Sequence, residues 1–186
     1  MIDLLEIDRL LDEPACDSLR GELRAAGGGA ASLLGGEVRT HVRKATRVAV
    51  SPATSGRVKS LLMQCVPRLE RHFGLTLAEC EPPQFLRYET GDFFVAHQDG
   101  NTPLIHDDSR FRRISVVLFL SRQSEEPSPD SYGGGSLVLY EHWSRPDLRV
   151  PLAPAPGTLV AFRAETTHEV TPVTHGERFT IVTWFR

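Results

Sequence analysis

The feature that most restricts the fold of this 186-residue sequence is a change in residue composition at Pro83. Beyond it, short runs rich in Val, Ile, Leu, Phe and Thr alternate with clusters of Gly, Pro, Ser and Asp, which is typical of strands joined by turns. Regular spacing of such strands predicts a jelly roll or a barrel. We predict strands near 84–89, 93–98, 113–121, 135–141, 149–152, 157–163, 168–173 and 178–186, with a further candidate within 40–50.

The first 80 residues predict helices that support this β core. Residues 12–26 carry apolar side chains at helical spacing, with Asp12 as the N-cap and Pro14 in the first turn. A second helix is predicted over 58–73, and Pro67 should kink or divide it. The fold class is therefore mainly β with N-terminal helices, a jelly roll (double-stranded β-helix) supported by helices.

The segment between the two helices, residues 25–36, contains five glycines, which predicts a flexible connector. A chain of this length suits one domain that buries a sizeable core. We expect residues 1–186 to form a single domain, with helical support and the flexible loop in 1–80 and the jelly-roll core in 81–186.

Composition and charge disfavour several classes of partner. The formal net charge of -3 offers no basic field for a phosphate backbone, so no nucleic-acid partner is expected. No apolar run approaches the about 20 residues that span a bilayer, and the acidic start "MIDLLEIDRLLDE" is unlike a signal peptide, which predicts a cytoplasmic protein without membrane contact. The widely spaced Cys16, Cys65 and Cys80 are expected to be reduced and structural.

A candidate metal site begins in "RYETGDFFVAHQDG", residues 87–100. His97 and Asp99 are two positions apart, so both side chains can leave one face of a strand. His168, at the start of a late predicted strand, is a candidate third ligand. Two histidines and one carboxylate form the facial triad of non-haem Fe(II) oxygenases, which leaves coordination positions open for chemistry.

The sequence contains a second His-x-Asp pair, His106 and Asp108. It lies in a polar stretch with Pro, Asn and adjacent acids, which indicates a solvated loop. His97, in contrast, follows hydrophobic strand residues. We therefore reject the second pair as metal ligands.

The last predicted strand carries a possible anion site. Its even-numbered residues share one face: Arg178, Thr180, Val182 and Trp184. A cation inside a barrel is costly unless it meets an anion, and a guanidinium grips a planar carboxylate with two hydrogen bonds. The alternative is that Arg178 points outward and pairs with Glu177 or Glu169.

The motifs occur in an order that resembles a known family. Tyr88-x-x-Gly91-x-x-Phe94-x-x-His97-x-Asp99 is followed by "GGGSLVLYE", "APGTLVAFRAETTHEVTPV" and "GERFTIVTWFR". This combination resembles the 2-oxoglutarate and Fe(II)-dependent oxygenases, and among them the prolyl 4-hydroxylase branch. The resemblance covers about residues 80–186.

The resemblance implies roles for five of these residues. His97, Asp99 and His168 would bind Fe(II), and Arg178 would hold the distal carboxylate of the cosubstrate 2-oxoglutarate with help from Thr180. It also implies O2 as the oxidant, succinate and CO2 as coproducts, and ascorbate as a candidate reductant.

Three further assignments follow from the same resemblance. Tyr88 would lie beside the cosubstrate, although a tyrosine that only fills the core is an alternative. Trp184 and Arg87 would belong to the substrate pocket, although Trp184 could equally be core. The strand that carries a tyrosine in oxygen-sensing members has Phe119 here, and nucleic-acid demethylase motifs are absent at Thr180 and Trp184.

The substrate is not fixed by the sequence. The resemblance implies hydroxylation of a prolyl residue in a protein or peptide, with a free amino acid or a peptide natural product as the alternative enzyme substrate. A metal-binding or sugar-binding barrel without catalysis is the alternative outside the enzymes. Two long insertions, 100–112 and 121–135, are candidate mobile lids over the site, and the oligomeric state is not predicted.

Overall fold

The computed structural model describes residues 2–32, 38–103, 105–142, 144–145 and 147–186. Its helices are α1 (Glu13–Ala25), α2 (Pro52–Met63) and α3 (Val66–Phe73). Its strands are β1 (Leu4–Ile7), β2 (Gly28–Ala30), β3 (Arg43–Lys44), β4 (Thr46–Val48), β5 (Gln84–Tyr88), β6 (Phe93–His97), β7 (Ile114–Phe119), β8 (Arg122–Gln123), β9 (Ser131–Gly134), β10 (Leu137–Tyr140), β11 (Arg149–Leu152), β12 (Leu159–Arg163), β13 (His168–Val170), β14 (Val173–Gly176) and β15 (Arg178–Phe185). Within these described ranges, no helix has the length and apolar character needed to cross a bilayer.

Local signals account for the helix ends. The carboxylate of Asp12 accepts a hydrogen bond from the first turn of α1, as predicted. Pro67 lies in the first turn of α3, so the predicted second helix is divided rather than kinked, and α3 ends at Gly74 with φ 64°. Helix α2 begins earlier than predicted because Ser51 caps it and Pro52 starts it.

Two main sheets form the β core. Seven strands lie in the order β1-β12-β7-β15-β5-β4-β2, and five in the order β11-β10-β13-β6-β3. In β15 the odd-numbered Phe179, Ile181 and Phe185 pack in a core with helix residues such as Leu62 and Leu69. The even-numbered residues of β15 line a cavity that also receives residues of the five-stranded sheet. The alternation of the last strand therefore separates the structural core from a cavity between the sheets.

The glycine-rich connector is more ordered than predicted. Gly28–Ala30 forms β2, which pairs with β4 at the edge of the seven-stranded sheet. A Cβ at Gly28 would lie 2.7 Å from the carbonyl oxygen of Arg47, so glycine permits this close strand contact. Residues 33–36 of the predicted connector lie outside the described residues.

The second candidate lid, 121–135, is not a loop throughout, because strands lie at its two ends while residues 125–130 between them are exposed. The segment contributes β8 and β9 to a third sheet, where β9 pairs with β8 and with β14. Ser131 and Tyr132 are buried there. The predicted strand 168–173 is two strands in the structure, since β13 ends at Val170 and β14 begins at Val173.

Candidate metal centre and adjoining cavity

His97, Asp99 and His168 meet at one end of the five-stranded sheet. The antiparallel pairing of β6 and β13 sets His97 opposite His168. Asp99 follows β6, and its backbone N–H donates to the carbonyl oxygen of Ala164 at 2.9 Å. Nε2 of His97 lies 3.6 Å from Oδ1 of Asp99, and Nε2 of His168 lies 3.4 Å from Oδ2. The potential ligand atoms of the three residues all lie within 4.8 Å of one another.

Backbone carbonyls orient both imidazoles. Nδ1 of His97 lies 2.8 Å from the oxygen of Val95, and Nδ1 of His168 lies 2.9 Å from the oxygen of Thr166. A carbonyl oxygen only accepts hydrogen bonds, so each Nδ1 carries the ring proton. The lone pair of each Nε2 is then available to a metal ion. Burial, together with a smaller contribution from the neighbouring His97, lowers the pKa of His168 to about 4, so this imidazole is neutral near pH 7.

Asp99 is held as a carboxylate. Burial alone would raise its pKa, but His168, His97 and the indole N–H of Trp184 outweigh burial and keep the pKa well below its ordinary range. The hydroxyl of Ser115 on β7 donates to Oδ2 of Asp99 at 2.7 Å. Two imidazole nitrogens and one carboxylate oxygen are a donor set that suits Fe(II), so the residues present fit this ion.

The metal group opens into a cavity of about 480 Å³ between the two main sheets. Arg178, only 2% exposed, lines it, and its Nη1 donates to Oγ1 of Thr180 at 3.2 Å. Among the described residues no carboxylate pairs with Arg178, and its Nε has no hydrogen-bond partner. Glu177 instead pairs with Arg24 at 2.6 Å, and Glu169 accepts from the Tyr140 hydroxyl at 2.7 Å. The alternative in which Arg178 points outward and pairs with Glu177 or Glu169 is therefore not found in the structure.

Aromatic rings surround the guanidinium of Arg178. Its carbon lies 5.1 Å from the ring centre of Tyr88 and 5.2 Å from that of Phe119, and Tyr88 also lines the cavity. Tyr132 of β9 is fully buried beside Arg178, and its hydroxyl has no hydrogen-bond partner among the described residues. Burial raises the pKa of Tyr132 and Arg178 opposes that rise, so the phenol remains a neutral donor.

Sequence reasoning missed Tyr132 because the segment was assigned to a loop. The signal that could have found it is the "YGGG" run, since glycines there allow close backbone approach. A Cβ at Gly135 would lie 3.1 Å from both the Tyr132 ring and the Arg178 side chain. The glycine run therefore makes room for this phenol and guanidinium to meet.

Trp184 lies in the cavity wall as the alternation of β15 predicts. The guanidinium carbon of Arg112 lies 3.6 Å from the centre of a Trp184 ring. Arg112 also makes two hydrogen bonds to Glu81, of 2.8 and 2.7 Å. No local sequence pattern indicates this pair, because Glu81 and Arg112 are brought together only by the fold.

The assignment of Arg87 to the substrate pocket is corrected by the structure. Its neighbours Leu86 and Tyr88 line the cavity, but Arg87 does not. Its Nη1 lies 3.9 Å from Glu177 and its Nε 3.9 Å from Glu89. The side chain leaves the other face of β5, so a contact with substrate in the cavity is not available to it.

The second His-x-Asp pair lies apart from the metal group. His106 and Asp108 are exposed, and Asp108 begins a short 3-10 turn, Asp108–Phe111. Among the described residues, the group that could hold a metal is formed by His97, Asp99 and His168. Residue 104 of the first candidate lid lies outside the described residues.

Residues 83–186 match the family model of the 2OG-Fe(II) oxygenase superfamily, more than half of the chain. The chain belongs to the 2OG-Fe(II) oxygenase superfamily. This confirms the predicted family, and the oxygenase jelly roll is confirmed with it.

The oxygenase is similar to named relatives. A PKHD-type hydroxylase of Burkholderia ambifaria is 36% identical over 104 residues, which are 55% of this chain and 41% of that protein. The chain thus matches less than half the length of this curated relative.

Solved structures extend the likeness in fold to the whole chain. A prolyl-4-hydroxylase of Pseudomonas putida has a TM-score of 0.72 at 23% identity, covering 100% of this chain and 94% of that one. A prolyl hydroxylase of Trichoplax adhaerens, in complex with a peptide fragment of hypoxia inducible factor, has a TM-score of 0.72 at 18% identity, covering 100% and 84%. At these identities the likeness is one of fold.

Proposed function

We propose that this oxygenase is a 2-oxoglutarate- and Fe(II)-dependent hydroxylase that acts on an unactivated C–H bond of a prolyl residue in a protein or peptide. The observation that supports the proposal is that two features line the same cavity. One is the group of His97, Asp99 and His168, and the other is Arg178, a buried cation with no acidic partner among the described residues. A diacid cosubstrate such as 2-oxoglutarate, for which the metal group and Arg178 would supply the two binding points, would account for both.

In this proposal His97, Asp99 and His168 would hold the iron, and three protein ligands would leave coordination positions for the cosubstrate and O2. Bound iron, with 2-oxoglutarate and O2, supplies the oxidising chemistry that places a hydroxyl on carbon, and succinate and CO2 are the coproducts. The protein contributes the lone pairs that the Val95 and Thr166 carbonyls orient and the negative charge of Asp99.

Arg178 has the role of anchor for the distal carboxylate of 2-oxoglutarate. Its fork of N–H donors matches a carboxylate, and the Thr180 hydroxyl lies beside it as a further donor. Tyr88 forms the adjoining wall. The surrounding β-strand side chains are apolar or buried, so the anchor lies in a poorly hydrated site where a charged hydrogen bond is strong.

The prolyl substrate is supported by relatives that are named PKHD-type or prolyl hydroxylases, one of them solved with a peptide. A free amino acid or a peptide natural product is the alternative substrate class. A non-catalytic metal-binding or sugar-binding barrel would not explain why the metal group and the buried Arg178 line the same cavity. Use of ascorbate, a cytoplasmic location and the one-domain organisation remain predictions.

The test is coupled turnover. Purified protein with Fe(II), 2-oxoglutarate, ascorbate and proline-containing peptides or host proteins should form succinate under air and add one oxygen atom to the substrate, detected by mass spectrometry. His168→Ala should abolish both products, whereas His72→Ala, on the exposed side of α3, should leave both unchanged. Absence of succinate with every candidate substrate would favour the binding-module alternative.

A further inference from the structure

A second buried arginine lines the same cavity. Arg43 of β3 is 7% exposed, and its Nη1 donates to the carbonyl oxygen of Ser32 at 2.8 Å. Its guanidinium carbon lies 4.7 Å from the ring centre of Phe94, and among the described residues its Nε has no hydrogen-bond partner. One buried guanidinium donor is therefore unsatisfied, which is costly in a folded protein.

The positive charge of Arg43 is not matched by a nearby carboxylate among the described residues. Within the described part of the chain, no carboxylate forms an ion pair with Arg43, whereas the adjacent Lys44 pairs with Asp92 at 3.1 Å. Arg112 is paired with Glu81. Asp99 is the acidic residue among those that line the cavity, and it belongs to the metal group. Arg43 thus keeps a full positive charge that no described side chain compensates.

The position of Arg43 sets it apart from the cosubstrate anchor. β3 pairs with β6 in the five-stranded sheet, while Arg178 lies on β15 of the seven-stranded sheet. Phe94 stacks on His97 with 3.6 Å between ring centres, and Arg43 stacks on Phe94. Arg43 therefore lies one aromatic ring away from a proposed iron ligand, on the wall contributed by the other sheet.

We propose that Arg43 binds a carboxylate of the primary substrate, and that the oxidised C–H bond of this substrate lies a few bonds from that carboxylate. The inference rests on the proposed function, because one arginine is assigned to 2-oxoglutarate and the second then requires another anion. The Phe94 ring stacks on the guanidinium and restrains its plane, and a guanidinium is the group that binds a planar carboxylate with two hydrogen bonds.

Two sources supply the same chemistry. One is the α-carboxylate of a free amino or imino acid, and the other is an acidic side chain beside the target residue of a peptide. The test therefore uses two matched pairs of probes: L-proline with L-prolinamide, and a blocked tetrapeptide containing Asp-Pro with its Asn-Pro counterpart. Each pair changes the charge and little else.

Binding is measured by calorimetry to protein loaded with Mn(II) and 2-oxoglutarate, in which no turnover occurs. In at least one pair, the carboxylate probe should bind the wild-type protein about 10-fold or more tighter than its amide, as a charge-assisted hydrogen bond predicts. Arg43→Gln should remove that preference and Arg43→Lys should retain part of it. Arg47→Gln, which removes the same charge from an exposed position on the neighbouring β4, should leave it unchanged.

The pair that shows the preference identifies the source of the carboxylate. Equal affinity of carboxylate and amide in both pairs, or no binding of either carboxylate probe at about 10 mM, would overturn the inference while 2-oxoglutarate still binds. An unchanged preference in Arg43→Gln would overturn it as well. Failure of the wild-type protein to bind 2-oxoglutarate at all would instead overturn the proposed function, and the inference with it.

Discussion

Each histidine of the metal group is held by the carbonyl two residues before it. Val95 serves His97 and Thr166 serves His168, so the same local hydrogen bond is used on two different strands. This arrangement fixes the proton on Nδ1 without a second carboxylate, which keeps the negative charge of the site on Asp99 alone.

Ser115 is the neighbour that holds Asp99. Its hydroxyl donates to Oδ2 at 2.7 Å. Ser115→Ala should weaken Mn(II) or Fe(II) binding by roughly 10-fold, because partners behind metal ligands typically contribute that much to affinity. Calorimetric titration with Mn(II) measures the change. Ser121→Ala, which removes a hydroxyl that accepts from the Phe179 N–H, is the matched control and should leave metal affinity unchanged; equal losses in both variants would contradict the prediction.

Tyr132 is the buried phenol beside Arg178. Its hydroxyl has no partner among the described residues and is available to the pair that Arg178 forms with a bound carboxylate, so Tyr132→Phe should weaken 2-oxoglutarate binding by several-fold, about the worth of one hydrogen bond. Metal affinity should not change. Titration of 2-oxoglutarate into the Mn(II)-loaded variant measures this, with Tyr140→Phe as the control because that hydroxyl binds Glu169 instead. An unaltered 2-oxoglutarate affinity would make Tyr132 a plain core residue.

The sequence predicted the residues whose spacing within one strand reveals them. His97 and Asp99 share a strand end, and Arg178 shares a face with Thr180. Ser115, Tyr132 and Arg43 were missed because each acts on a residue of another strand, and the pairing of distant strands is not written in local periodicity.

At the scale of elements, alternation in β7 and β15 does most to build the site. Ile114 and Leu118 of β7 pack with the helices, whereas Ser115 and Phe119 face the other way. Nearly all residues of these two strands are buried, so both appear in the sequence as apolar runs that predict strands. β8 and β9 escaped prediction because β8 is only two residues long, β9 reads Ser-Tyr-Gly-Gly, and the residues between them are rich in Ser and Pro; β9 is held by its pairing with β8 and β14.

Gly176, at the end of β14, is the glycine on which this third sheet depends. Its φ is 70°, and a Cβ there would lie 2.1 Å from the carbonyl oxygen of Ser131 on β9. Gly176→Ala should destabilise the protein by at least about 1–3 kcal/mol, since backbone strain and the clash act together.

Gly56 provides the matched comparison for this substitution. It lies inside α2 with no atom within 4 Å of the position of a Cβ, so Gly56→Ala should stabilise by about 0.5–1 kcal/mol. Urea unfolding of both variants measures the two changes. A Gly176→Ala protein as stable as wild type would mean that β9 and β14 are not held as described.

At the scale of the whole molecule, Glu81 joins three distant parts of the chain. Its carboxylate accepts hydrogen bonds from Arg112, which lies just before β7, and from Arg186 at the end of the sequence. Burial by itself raises the pKa of Glu81, but the two arginines outweigh burial and hold the pKa below its ordinary value.

This lowered pKa has a definite consequence for stability against pH. A carboxyl whose folded pKa is below its unfolded value stabilises the protein above the unfolded value of about 4.3, and the contribution disappears as pH falls through the folded pKa. Glu81→Gln should therefore be less stable than wild type near neutral pH, and the difference should shrink below about pH 4. Thermal unfolding at both pH values tests this, with the exposed Glu6→Gln as control. A difference independent of pH would contradict it.

The central claim is that His97, Asp99 and His168 hold one Fe(II) that 2-oxoglutarate then chelates, with Arg178 at the far end. Anaerobic addition of Fe(II) and 2-oxoglutarate to the purified protein tests it most directly, because the chelate has a weak visible charge-transfer band. We predict that the band appears and saturates at one Fe(II) per chain, disappears in His97→Ala and His168→Ala, and requires much more 2-oxoglutarate in Arg178→Ala. A wild-type protein that shows no band, or variants that keep the wild-type band, would contradict the account.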